Sequence, residues 1–208
     1  MISHSSITWW VTNMRLSCVR GVLITATAGL LAIVAYGHGD TREFDRAAPA
    51  RAVVDAAGNI RVPDGYRGTY EFLGSWAVAA DESPGAKDLH VVYASPGAVS
   101  AYRQNRDFPD GAVLVKEVFA AATTSMTTGT VSRAETLKGW FVMVKDARGR
   151  YPGNKLWGDG WGWSWFDASS PSKTTSSDYK VNCLACHVPA QASGWVYVNG
   201  YPPLKSQR

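Results

Sequence analysis

Apolar and polar positions along this chain alternate in short runs broken by Gly, Pro, Asp and Ser, the two-residue period of strands rather than the longer period of helices. Tyr70 to Ala79 is rich in aromatic and apolar residues and predicts a strand, and Leu89 to Tyr93 predicts a second, shorter one. Pro96 opens a helix over Gly97 to Gln104. Phe108-Pro109-Asp110-Gly111 reads as a turn, and Ala112 to Phe119 is the clearest strand. Thr123 to Thr130 is small and polar, a loop or a strand crossing. Trp140 to Lys145 is another strand, closed by Asp146 to Arg150. In Trp157 to Phe166 large and small residues alternate, so that Trp161, Trp163 and Trp165 share one face of a strand. A polar loop, Ser169 to Asp178, leads into a short helix at Cys183 to His187. Trp195 to Val198 reads as a last strand before Tyr201-Pro202-Pro203-Leu204. There is no internal repeat. The hairpin-like spacing predicts an α+β fold that is mainly β, an antiparallel sheet with a few helices.

The N-terminal part follows a different pattern. Arg15 and Arg20 precede an apolar run from Gly21 to Tyr36, a positive region followed by a hydrophobic one. Ala35 and Gly37 are small residues suited to a cut after Gly37, so residues 1–37 read as a signal peptide, with an uncleaved anchor as the alternative. Met14 offers a second start beside Met1. Either reading places the domain outside the cytoplasm. Residues 38–65 form a lead-in rich in Ala, Pro, Asp and Arg that ends in the Pro63-Asp64-Gly65 turn, and residues 66–208 form the domain proper.

Composition narrows the function classes. Net charge is +4 over 208 residues, and two of the positive charges, Arg15 and Arg20, lie in the segment expected to be removed. The small remaining excess argues against nucleic-acid binding and against attraction to a membrane surface. Tryptophan is abundant, with nine residues, which suits flat apolar surfaces as well as ordinary cores. Of three cysteines, Cys18 lies in the N-terminal segment.

The other two carry the chemistry. Cys183-Leu184-Ala185-Cys186-His187 is C-x-x-C-H, the attachment site of a c-type haem. Two cysteines three apart each add to one vinyl group of a porphyrin, and the histidine that follows becomes the axial ligand of the iron. A zinc site would need further Cys or His near by, and His90 is far upstream; a thioredoxin-like redox pair would sit early in a βαβ pattern. Haem c, one per chain, is therefore the cofactor expected, bound by Cys183, Cys186 and His187 on a short C-terminal helix. Opposite the iron, an electron carrier places Met or His. No Met or His follows His187, and upstream stand Met126, Met143 and His90. Met143 reads as core, Met126 lies in the Thr-rich segment, and His90 on a short strand reads as a structural histidine. The balance is a five-coordinate iron with an open face for a small molecule.

Lys116 interrupts an apolar strand, sharing a face with Leu114 and Val118 while Val113, Val115 and Glu117 point the other way. Such a lysine snorkels, pairs or has a lowered pKa. The run from Phe108 to Glu117, Asp178-Tyr179 leading into the haem motif, and Trp195 to Tyr201 together resemble the cytochrome P-460 family over roughly residues 60–205. Ordinary class I cytochromes c are helical and carry the motif near the N-terminus, unlike this chain. The resemblance implies a periplasmic, mainly β, often homodimeric protein. It implies that Lys116 is bonded to a meso carbon of the porphyrin, giving a P-460-type haem, and that hydroxylamine is oxidised to nitrous oxide or nitric oxide while electrons leave to an external acceptor such as a small cytochrome c. A sister group, the β-type cytochromes c-prime, shares the fold, lacks the lysine bond and binds nitric oxide or carbon monoxide without turnover. An electron-transfer cytochrome is the remaining alternative. The resemblance also points to Asp178 as a base, because enzymatic relatives place a carboxylate there; alternatively Asp178 caps the helix of the haem motif. Asp159 is a second carboxylate, in the Gly158-Asp159-Gly160 turn, and Phe72, Trp76 and the tryptophans of 157–165 either line the pocket or pack the core.

Overall fold

A computed structural model describes residues 48–205; the segment 1–37 read as a signal peptide, with Cys18, and His38 lie outside the described residues. Six antiparallel strands form one sheet in the order β1-β2-β3-β4-β6-β5. They are β1 (Glu71–Ala79), β2 (Ala86–Ala94), β3 (Val113–Met126), β4 (Gly129–Lys145), β5 (Trp157–Gly158) and β6 (Trp161–Asp167). The helices are short: α1 (Ala48–Val53), α2 (Tyr66–Thr69), α3 (Ala98–Asn105), α4 (Tyr179–Asn182) and α5 (Leu184–His187), followed by three 3₁₀ turns over Val188–Ser193, Val198–Gly200 and Pro202–Leu204. The α+β, mainly β class read from the alternation is what the chain adopts.

Alternation along β3 and β4 gives the sheet two buried faces. On the back face Val113 and Val115 pack with Trp140, Val142, Val144 and Phe166, and the lead-in segment covers them with Val53, Ile60 and Val62. On the front face Leu114 packs with Met143, Trp161 and Trp163 beneath α3 and the C-terminal turns. Burying a side chain of this size stabilises by about 1.5–3 kcal/mol, so each face is held chiefly by such contacts. β3 begins where the Phe108 turn fixes it. Phe108 packs between Tyr102 and Trp161, with ring centroids 4.8 and 5.7 Å away. Asp110 accepts from the Ala147 N–H at 3.0 Å and pairs with Arg150, which also holds Asp146.

Three differences from the sequence reading have local causes. β3 and β4 run into the Thr-rich segment and join within it at Thr127-Thr128, extending as a two-stranded ribbon where β2 and β6 have ended. The lead-in contains helix α1 and an antiparallel bridge between Val54 and Ile60. Trp195 to Val198 is not a strand: Gly194 and Trp195 both take a left-handed backbone, φ 69°, which turns the chain out of any extended path. At Asp159 and Gly160, φ 53° and 80° make the two-residue turn that joins β5 to β6 in a hairpin.

Candidate functional site

The C-terminal segment folds back across the front of the sheet, and a cleft lies between them. β1 accepts this segment through two glycines. A side chain at Gly200 would collide with the Trp76 indole, and one at Gly74 would press on the Gly200 carbonyl. The cleft has two contiguous chambers. One, of about 100 Å³, is lined by Leu114, Lys116, Phe141 and Met143 from the sheet and by Cys186 and His187 opposite. The other, of about 250 Å³, is bounded by Trp76 and His90, and shares Lys116, Tyr197 and Tyr201 with the first.

α5 brings Cys186 and His187 to the cleft wall, while Cys183, where α4 meets α5, is buried in the front core. Both cysteines are free thiols, Cys183 buried against the front core and Cys186 exposed. Burial pushes the Cys183 thiol up to about 11, with the neighbouring Cys186 adding to the shift. His187 Nδ1 lies 2.7 Å from the Trp195 carbonyl oxygen. A carbonyl only accepts, so Nδ1 carries the hydrogen and Nε2 keeps its lone pair for a metal. The left-handed backbone of Trp195 is what turns that carbonyl towards the histidine. Trp163 stands edge-on to the His187 ring at 4.9 Å, and is itself stacked on Tyr179. Burial lowers the His187 pKa, against the Trp195 carbonyl bond, which raises it, and with the Lys116 charge adding to the lowering. Among the described residues no three His, Cys, Asp or Glu side chains come together as a metal-binding group.

Lys116 enters from β3, where its neighbours Val115 and Glu117 face the back core. Its Nζ sits over the Phe141 ring at 4.4 Å. No described carboxylate pairs with it; Cys186 and Cys183 are the groups that favour its charged form. Burial pushes its pKa below the ordinary lysine value, so the neutral, nucleophilic amine is more accessible. The donor set fits a covalently held haem: the two thiols of the C-x-x-C-H motif, an imidazole with a free Nε2, and a lysine in the cleft with no described carboxylate partner.

Asp178 lies at the N-terminus of α4, where Oδ1 accepts from the Lys180 N–H at 2.9 Å. That is the capping arrangement, and the cleft is lined without it. Asp159 is exposed and accepts from the Tyr179 hydroxyl at 3.0 Å. Of the aromatic residues singled out from the sequence, Trp76 bounds the cleft and Trp163 backs His187, whereas Phe72 packs on Tyr93. Met143 is buried and Met126 is exposed on the ribbon. Sequence reasoning missed Tyr197 and Tyr201, which come from turns with no periodic signal.

A family model described as Cytochrome P460 matches residues 63–198. No curated protein matches the chain.

Proposed function

The chain belongs to the cytochrome P460 family, a family of haem-binding cytochromes, and on that premise we propose that it oxidises hydroxylamine to nitrous oxide or nitric oxide at a haem c held by Cys183, Cys186 and His187 and joined to Lys116. Bound haem supplies the redox centre and the open coordination position for the substrate nitrogen. The rest is the work of this chain. Cys183 and Cys186 fix the ring by thioethers, and His187, oriented by the Trp195 carbonyl, presents Nε2 to the iron. Lys116 supports the enzymatic reading over simple gas binding. It is an amine in the cleft without a carboxylate partner, and burial favours its neutral form. That single observation carries the proposal.

Leu114, Phe141 and Met143 give the site an apolar wall on the sheet side. Electrons leave to an external acceptor such as a small cytochrome c. The N-terminal signal implies export to the periplasm, and we propose a homodimer. No helix among the described residues is long and apolar enough to cross a membrane.

The test is the absorption spectrum of the reduced holo-protein, matured with covalent haem, beside Lys116→Ala. A strongly red-shifted Soret band in the wild type that is absent from the variant is the expected result. An ordinary c-type spectrum in both would leave a nitric oxide-binding or carbon monoxide-binding cytochrome and overturn the lysine-bonded enzyme.

A further inference from the structure

The second chamber holds one side chain with no task so far. His90 stands on β2 opposite Trp76 of β1, and Lys116 of β3 is its diagonal neighbour on the same face. Its imidazole borders the chamber and makes no hydrogen bond with a described residue. The ionisable groups around it are few. Lys116 faces it from β3 and Lys138 from β4, Asp88 lies on its own strand, and the phenols of Tyr197 and Tyr201 come from the C-terminal turns. The one carboxylate in this set is already paired, Asp88 with Lys138 at 3.0 Å. Asp88 still favours a second proton on the ring, but burial and the Lys116 charge outweigh it. Burial, then the Lys116 charge, lowers the His90 pKa to about 4; with Lys116 joined to the haem that charge is lost, and burial is what disfavours the protonated ring. A neutral imidazole without a partner keeps a lone pair for whatever enters the chamber.

We propose that His90 is the proton acceptor for the small molecule bound in this cleft. It takes the proton the ligand loses and releases it to solvent past Trp76 and Tyr197, which are 38% and 40% exposed. The proposal rests on the cleft being the haem and substrate site. In hydroxylamine oxidation each electron given to the external acceptor is matched by one proton released. His90 takes the proton, and its own oxidation state does not change.

Cyanide is the probe that separates proton acceptance from turnover. Hydrogen cyanide binds ferric haem as the anion, so its proton must pass to a base. Stopped-flow absorption of the ferric holo-protein at neutral pH is expected to show cyanide association slowed about 100-fold in His90→Leu and His90→Gln. Carbon monoxide carries no proton, and its binding to the ferrous forms is expected to be unchanged. Equal cyanide rates in wild type and variants overturn the proposal. Parallel slowing of cyanide and carbon monoxide also overturns it, since that reports access. So does a low-spin ferric wild type that becomes high-spin in His90→Leu, which would make His90 an iron ligand. Should neither variant take up haem, the wild-type pH profile decides. An association rate that stays flat over mildly acidic to neutral pH supports the proposal, and one rising about tenfold per pH unit, as free cyanide anion does, overturns it. Hydroxylamine turnover does not enter this readout, so the fate of the proposed reaction and the fate of this assignment are read separately.

Discussion

Lys116 and Glu117 are neighbours on β3 with opposite surroundings. Lys116 lies in the front cleft. Glu117 is 2% exposed on the back face. It accepts from the Tyr66 hydroxyl and from Arg67 Nε at 2.6 Å, while Trp140 Nε1 donates to the Tyr66 oxygen at 2.8 Å. A carboxylate so deeply placed is tolerable because each partner donates to it or to its donor. Glu117→Gln keeps the volume and removes the charge, and it should lower the unfolding free energy of the haem-loaded protein by about 2 kcal/mol in urea titration. The absorption spectrum should stay the same, because the carboxylate faces away from the cleft. The opposed directions of the two residues were legible in the apolar alternation around them. The partners were not, since Tyr66, Arg67 and Trp140 meet Glu117 only after distant segments pack.

At the scale of elements, β6 and the segment after it build the support behind His187. Gly158, at the end of β5, lies so close to Tyr179 that an added methyl would meet its phenol ring, and Tyr179 in turn stacks on Trp163. Gly158→Ala should therefore cost about 1–3 kcal/mol and lower the melting temperature of the holo-protein. Gly160→Ala, two residues on, meets open space but demands a left-handed backbone at φ 80°, and should cost about 1 kcal/mol through strain alone. The strands and the shared face of Trp161 and Trp163 followed from periodicity. The segment Trp195 to Val198 misled because its composition suits a strand, while the two left-handed residues that end the extension leave no mark in apolar periodicity. The haem-binding motif was legible for the opposite reason, since its spacing is covalent chemistry and needs no tertiary contact to be read. Tyr197 and Tyr201 were invisible because they reach the cleft from irregular turns.

For the whole molecule, burial of titratable rings bounds the pH range of stability on both sides. The folded chain holds His90 at about 4, below its ordinary value of 6.5. The unfolded chain therefore binds the extra proton first as pH falls. Stability is fully present above about pH 6.5 and is lost as pH falls towards 4. Thermal unfolding of His90→Leu should show a shallower loss over that window than the wild type. On the alkaline side burial pushes Tyr70 up to about 12, and also raises Tyr66 and Tyr201. Here the unfolded chain loses protons first, so stability holds below pH 10 and falls as pH rises towards 12.

The alternation of β3 also limits how this gene can vary in length. Adding or deleting one codon between Val113 and Lys116 would slide every later side chain of the strand to the other face. A deletion would bring Glu117 to the cleft position of Lys116 and Lys116 to the back-core position of Val115, and an insertion would put Lys116 where Glu117 meets Tyr66 and Arg67, so both faces would fail together. Substitutions here are tolerated or rejected one at a time, but a single-residue insertion removes two sites at once. Length variation in descendants of this chain is expected instead in the ribbon around Thr127, where exposed residues on both strands bear no such parity.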